Sequence, residues 1–315
     1  MEDAIKTIHI SKKYGLSNVV DNLNLSIRYG EIVGFLGLNG AGKTTTMRMI
    51  LGLIKPTSGE CYIQGQKIDN DTLNTWKEVG YIIETPYSYP DLTVRENLEI
   101  NSKLRGVNNK DSIDWVIEKL KLNQYENKKV KHLSLGNVTR LGIAKAIVHK
   151  PKILILDEPT NGLDPFGAVE VRELLKELSN NHGTTILISS HKLEEISKIA
   201  TRIVIIHEGK LISEVESKNL DKYLEKKLLV SGFNNMDIKE VLSNNGYKAN
   251  FISDLENDRD FLELIDKKAI EFPQEIATIM FNAGYPPKLL MVEKEDLESY
   301  FFRMLRDYNG EVENE

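Results

Sequence analysis

Gly37-Leu38-Asn39-Gly40-Ala41-Gly42-Lys43-Thr44-Thr45 follows the apolar run Glu31–Leu36 and precedes the helix-like run Thr46–Leu51. That order is strand, glycine-rich loop, helix, and the spacing G-x-x-x-x-G-K-[ST] is that of a phosphate-binding loop. Glycines let successive backbone N–H groups turn inward around an anion, and the helix that follows aims its positive end at the same point. Lys43 adds a mobile cation for the β- and γ-phosphates, and the Thr44 hydroxyl is placed to hold Mg²⁺. The stretch Leu38–Thr45 is therefore expected to bind a nucleoside triphosphate.

A second segment fits the same chemistry. Ile153-Leu154-Ile155-Leu156 is a fully apolar strand of the buried parallel kind, and it ends in Asp157-Glu158. Such a strand delivers Asp157 rigidly to the site, where it can hold Mg²⁺ through water or Thr44. Glu158 follows, placed to polarise a water against the γ-phosphate. Leu133-Ser134-Leu135-Gly136-Asn137 opens a helix, where Ser134 is by default an N-cap and, in the sharper reading, offers with the Gly136 N–H a second anion site for a γ-phosphate. Leu187-Ile188-Ser189-Ser190-His191 closes the next strand on a single histidine suited to sensing a phosphate.

The chain has 315 residues, more than one core usually holds, so two domains are expected. Its net charge of -6 gives no support to nucleic-acid binding. A lone cysteine, Cys61, allows no internal disulfide and suits a reducing, cytosolic setting. No run approaches the roughly 20 apolar residues that span a bilayer. Met1-Glu2-Asp3 is acidic and does not read as a signal peptide, so any membrane role is expected to run through partner chains.

Along the chain, strands are expected at Ile5–Ile10, Val19–Ile27, Cys61–Ile63, Thr184–Ser189, Ile203–Ile206 and Lys210–Ile212, with a turn at Pro56–Glu60. Helices are expected at 111–122, Leu133–Val148 and Val169–Leu178. Alternating strands and helices argue for an α/β layered domain over residues 1–220. Residues 221–315 read differently: strand 227–231, helix 237–245, strands 247–253 and 259–266, helix 273–283, strand 287–292 and helix 295–308. The order βαββαβ suits a small α+β, ferredoxin-like accessory domain, and the acidic tail Asn309–Glu315 is expected to fray.

These segments, in this order, resemble the ATP-binding subunit of an ABC transporter over residues 1 to about 215. The resemblance implies a β-rich lobe, a parallel-sheet core and a helical subdomain. It implies that Tyr14 stacks on adenine and that Gly37–Thr45 is the Walker A loop. Ser134, Leu135, Gly136 and Asn137 would form the signature loop, and Asp157 would be the Walker B aspartate. Glu158 would be the catalytic carboxylate, Asp164 the D-loop aspartate and His191 the switch histidine. Glu84 stands where most members carry glutamine, so a carboxylate that cannot donate a hydrogen bond replaces an amide beside Mg²⁺. Glu84 with Thr85-Pro86 after it, and the Ser-Leu-Gly-Asn signature, resemble the subgroup that protects bacteria from lantibiotics and bacitracin-like peptides. Leu135 implies a position without positive φ, and Val138-Thr139 replaces the more usual Lys-Gln before Arg140.

The resemblance also implies ATP and Mg²⁺ as cofactors and a second copy of the chain, each ATP lying between one copy's P-loop and the other's signature loop. Separate transmembrane permease subunits would hold the dimer on the inner face of the cell membrane. Tyr87–Thr93 would border the groove for a permease helix, or serve as a plain surface loop. The rival readings are an ATPase subunit of a drug or lipid exporter and a soluble, non-transport ABC ATPase. The C-terminal domain reads as a dimer-stabilising or permease-docking appendage, with a ligand-binding regulatory module as the alternative.

Overall fold

The computed structural model describes residues 3–69, 75–84, 87–107, 109–191, 193–254 and 259–312. Met1-Glu2, the Thr85-Pro86 pair and Glu313–Glu315 lie outside the described residues, with whatever the sequence suggested of them.

Strands β1 (Asp3–Tyr14) and β2 (Ser17–Arg28) form an antiparallel hairpin closed by Gly15-Leu16, with Gly15 at φ 59°. The buried strand β3 (Ile32–Leu36) leads through the glycine loop into α1 (Lys43–Ile50). β4 (Ser58–Ile63) pairs with β1, and β5 (Gln66–Lys67) with β4, giving a four-stranded antiparallel sheet in the order β2-β1-β4-β5. The turn expected at Pro56–Glu60 is thus shorter: Ser58 already belongs to β4, because its backbone finds a ladder partner in Ser11.

β6 (Val79–Ile82) is followed by three helices, α2 (Val94–Leu104), α3 (Lys110–Lys119) and α4 (Leu135–Ile147). Then come β7 (Ile153–Asp157), α5 (Pro165–His182), β8 (Thr185–Ser190), α6 (Leu193–Ser197), β9 (Arg202–His207) and β10 (Lys210–Glu216). The second sheet runs β10-β9-β3-β8-β7-β6, parallel from β9 to β6 with β10 antiparallel at its edge. β3, β7 and β8 are buried at every residue, which is why Ile32–Leu36, Ile153–Leu156 and Ile186–Ile188 are continuous apolar runs rather than alternating ones. One hydrophobic core joins the two sheets through Ile5, Leu25, Phe35, Met47, Ile155 and Leu187.

α5 is longer than the apolar spacing from Val169 to Leu178 suggests. Asp164 caps it, Pro165 occupies its first turn, and Gly183 at φ 66° ends it, so the boundaries come from capping residues rather than periodicity.

By its internal packing the chain divides into two compact units, one of residues up to Lys218 together with the chain from Met304 on, the other Asn219–Arg303. The second unit contains β11 (Lys226–Ser231), α7 (Asn235–Asn244), β12 (Asn250–Asp254), β13 (Arg259–Leu264), α8 (Lys267–Glu271), α9 (Pro273–Asn282) and β14 (Leu289–Lys294). Its sheet is antiparallel throughout in the order β12-β13-β11-β14, around a separate core that includes Leu228, Val230, Ile238, Leu262 and Ile276. α8 has no counterpart in the sequence reading; Asp266 nucleates it by accepting the N–H groups of Lys268 and Ala269. The last helix, α10 (Leu297–Val312), carries Asn309–Val312 as a helical continuation, where fraying was expected. Among the described residues no helix is long and apolar enough to cross a membrane.

Candidate active site

The carboxyl ends of β3, β6, β7 and β8 lie side by side, and open parallel sheets bind ligands at that edge. The glycine loop leaves β3 there. Gly42 caps α1 at φ 101°, and a Cβ on it would meet the Val19 carbonyl oxygen at 2.6 Å. Glycine is therefore required twice over, for the left-handed backbone and for the close approach. The turn between β9 and β10 braces the loop from outside: the Gly209 N–H donates to the Ala41 carbonyl at 3.0 Å.

Lys43 is buried, and its Nζ donates to the carbonyls of Gly37 at 2.7 Å and Leu38 at 3.2 Å. Burial holds its ammonium below the usual lysine range, an effect that Glu158 and Asp157 partly offset. The Thr44 hydroxyl donates to Asp157 Oδ2 at 2.7 Å, and Ser189 Oγ donates to Asp157 Oδ1 at 2.5 Å. Ser189 Oγ also accepts the Glu158 N–H at 3.0 Å. Glu158 leaves β7 at φ 50°, with Oε1 at 3.9 Å from Lys43 Nζ and Oε2 at 2.9 Å from His191 Nδ1. Lys43, Thr44, Asp157, Glu158 and His191 are thus brought together. A groove of about 190 Å³ lies between the glycine loop, Val19 and the two carboxylates, and a cleft of about 380 Å³ opens beside it toward Glu84 and Leu135.

Glu84 follows β6 at φ 59°, and its Oε1 accepts from Arg48 Nη2 on α1 at 2.5 Å. Tyr14 is the last residue of β1. Its ring is half exposed, with Lys12 Nζ 5.1 Å from the ring centre and that same Nζ donating to the Lys55 carbonyl at 2.7 Å.

Ser134 caps α4, its Oγ accepting the Asn137 N–H at 3.4 Å, and Leu135 has helical backbone with an exposed side chain. This end of α4 packs on the chain that follows Glu158. A Cβ on Gly136 would lie 3.2 Å from the Gly162 carbonyl, and one on Gly162 would strike the Leu135 side chain at 2.8 Å. Thr139 donates to the Asn161 carbonyl at 3.1 Å, which gives this departure from the family pattern a packing role. Arg140 is a packing residue too: it pairs with Glu170 of α5 at 2.6 Å and donates to the Leu120 carbonyl. Asp164 Oδ1 accepts the Gly167 N–H at 3.0 Å as the cap of α5.

The sequence reading missed Ser189 and Arg48 as partners of the site. Ser189 had no signal along the chain: it reaches Asp157 as its register partner on the adjacent parallel strand. Arg48 had none, because its partner follows β6, three places from β3 in the sheet.

A family profile described as ABC transporter matches residues 20–161. The bacitracin transport ATP-binding protein of Bacillus licheniformis is 48% identical over 229 residues, covering 71% of this chain and 75% of its own length. This chain belongs to the ABC transporter ATP-binding family. An uncharacterized ABC transporter ATP-binding protein of Bacillus subtilis is 39% identical over 96% of this chain and 95% of its own. A lantibiotic transport ATP-binding protein of Streptococcus pyogenes is 38% identical over 71% of this chain and 97% of its own. Among solved structures, a dimeric ATP-binding cassette in a post-hydrolysis state, bound to ADP and Pi, is 27% identical with a TM-score of 0.61, over 68% of this chain and 98% of that one. The fold is that of an ABC ATPase, and the chain is an ATP-binding, ATP-hydrolysing subunit.

Proposed function

We propose that this chain powers the export of a bacitracin-like or lantibiotic-like peptide from the membrane, as a pair of copies docked on separate permease chains at the inner membrane face. The observation that carries the substrate class is the similarity to transport subunits named for those two peptide types, in chains that match well beyond the phosphate loop.

The assigned roles follow from the contacts. ATP phosphates would displace the Gly37 and Leu38 carbonyls as partners of Lys43, with backbone N–H groups of the glycine loop completing the anion cradle. Lys43 then leaves Glu158, whose freed carboxylate takes a proton from the attacking water. His191, already bonded to Glu158, fixes the direction of that carboxylate and is placed to report on the γ-phosphate. Thr44 and Asp157 suit Mg²⁺: a hydroxyl and a carboxylate oxygen lie adjacent, and Ser189 occupies the other carboxylate oxygen. Among the described residues no cluster of three His, Cys, Asp or Glu side chains could hold a metal, which matches an ion that takes most of its remaining ligands from phosphate and water. Bound there, Mg²⁺ would neutralise phosphate charge; Glu84 is the further candidate oxygen. Tyr14 would stack on the base. Ser134, Leu135, Gly136 and Asn137 would face the ATP of the second copy, with Asp164 at the seam between copies.

Cells expressing the chain with its permease test the substrate class. Wild type should raise the tolerated concentration of bacitracin or of a lantibiotic, and Lys43→Ala should abolish that rise. Unchanged tolerance to both peptides, with ATPase activity intact, would return the assignment to a drug or lipid exporter.

A further inference from the structure

Two features of Glu84 fall outside the proposed mechanism. Its backbone is left-handed, a conformation that costs a non-glycine residue energy and is kept only where surroundings enforce it. Its carboxylate, more than half exposed, is nonetheless drawn onto Arg48 of the helix that carries Lys43. Glu84, Asp157 and Glu158 all line one cleft. All three carboxylates face a cleft where the incoming ligand is a polyanion. The glycine loop and Lys43 supply the attraction, and an unpaired third carboxylate on the wall of the same cleft would oppose it.

The geometry points to Arg48 as a positioning residue that makes a glutamate tolerable at this site: it neutralises Glu84 and holds it against α1 until a divalent cation competes for the carboxylate. This rests on the reading of the cleft as the Mg-ATP site. An exposed ion pair of this kind is weak, worth at most about fivefold in an equilibrium. That weakness suits the role, since a bound divalent cation can draw Glu84 away from Arg48 at little cost. Without the cation, Glu84 stays on Arg48 and does not repel the phosphates.

Removing Arg48 has opposite consequences under the two conditions. With ATP and chelator, the released carboxylate repels the nucleotide and affinity falls. With ATP and Mg²⁺, the released carboxylate is free to meet the cation and affinity falls less or rises. The test is equilibrium binding of ATP, with Mg²⁺ and with EDTA, to the full chain and to Arg48→Ala, Arg48→Lys, Glu84→Gln and the Arg48→Ala/Glu84→Gln double variant. The ratio of affinity with Mg²⁺ to affinity without it should rise about two- to fivefold in Arg48→Ala beyond the change that the same substitution produces in the Glu84→Gln background. Arg48→Lys should stay near wild type. A role confined to the packing of α1 would weaken both conditions alike and leave the ratio unmoved. An unchanged ratio, or an equal change in both backgrounds, overturns the inference; Arg48→Gln replaces the alanine variant if that chain fails to fold. Lys43→Ala distinguishes the two levels of the argument, because undiminished binding there would overturn the nucleotide site itself.

Discussion

Glu84 and Glu158 leave the ends of neighbouring parallel strands with positive φ, yet they face different partners. Glu158 lies between Lys43 and His191, where a carboxylate of general-base type is useful. Glu158→Gln keeps its shape and loses the proton acceptor, so phosphate release should fall by about 10²–10⁴-fold while ATP affinity is retained. Stopped-time phosphate assays beside calorimetric titration would check both halves. Ser189 is completely buried and serves two groups, Asp157 and the Glu158 N–H. Ser189→Ala should destabilise the fold by about 1–3 kcal/mol, read from urea unfolding, because it leaves buried polar groups unpaired. The motif residues were legible in sequence because their chemistry is tied to fixed spacing along the chain. Ser189 and Arg48 were not, because their roles depend on strand register and sheet order.

At the scale of elements, legibility followed how much of the signal is local. β3, β7 and β8 each carry an unbroken apolar run and are readable as buried strands. β6, only Val79–Ile82 with a glycine inside it, owes its place to pairing with β7, and no local pattern announces it. α2 did carry a local mark that went unread: Thr93 and Glu96 cap each other reciprocally at its start. β12 begins later than alternation suggests because the Tyr247 N–H closes α7 on the Leu242 carbonyl and the ladder to β13 starts at Asn250.

The loop after α4 yields a pH prediction. His149 is only 8% exposed, and neither ring nitrogen makes a well-formed hydrogen bond to any of the described residues. Burial pushes its pKa down to about 4, Arg105 adds to the effect, and the nearby Val79 backbone offsets only part of it. In the unfolded chain the imidazole takes up its proton near the ordinary value of 6.5, whereas the folded protein refuses it until about 4. The unfolded state therefore binds more protons across that window, and stability falls as pH drops from 6.5 toward 4. The loss attributable to this residue reaches about 3 kcal/mol. His149→Leu should flatten the acid limb of the stability profile, as measured by denaturant unfolding from neutral pH downward.

On the scale of the whole molecule, the chain carries one phosphate loop and one α4 N-terminus whose Leu135 is exposed. That inventory supports the proposal of a second copy, in which each nucleotide is completed by the other chain. Sedimentation of Glu158→Gln with and without Mg-ATP tests this most directly, because slow hydrolysis should preserve the ATP-bound form. The account predicts a monomer without nucleotide, a species of twice the mass with Mg-ATP, and no such shift when Lys43→Ala is added. A Glu158→Gln chain that binds Mg-ATP, turns it over at the wild-type rate and remains a monomer would contradict both the catalytic assignment and the two-copy architecture.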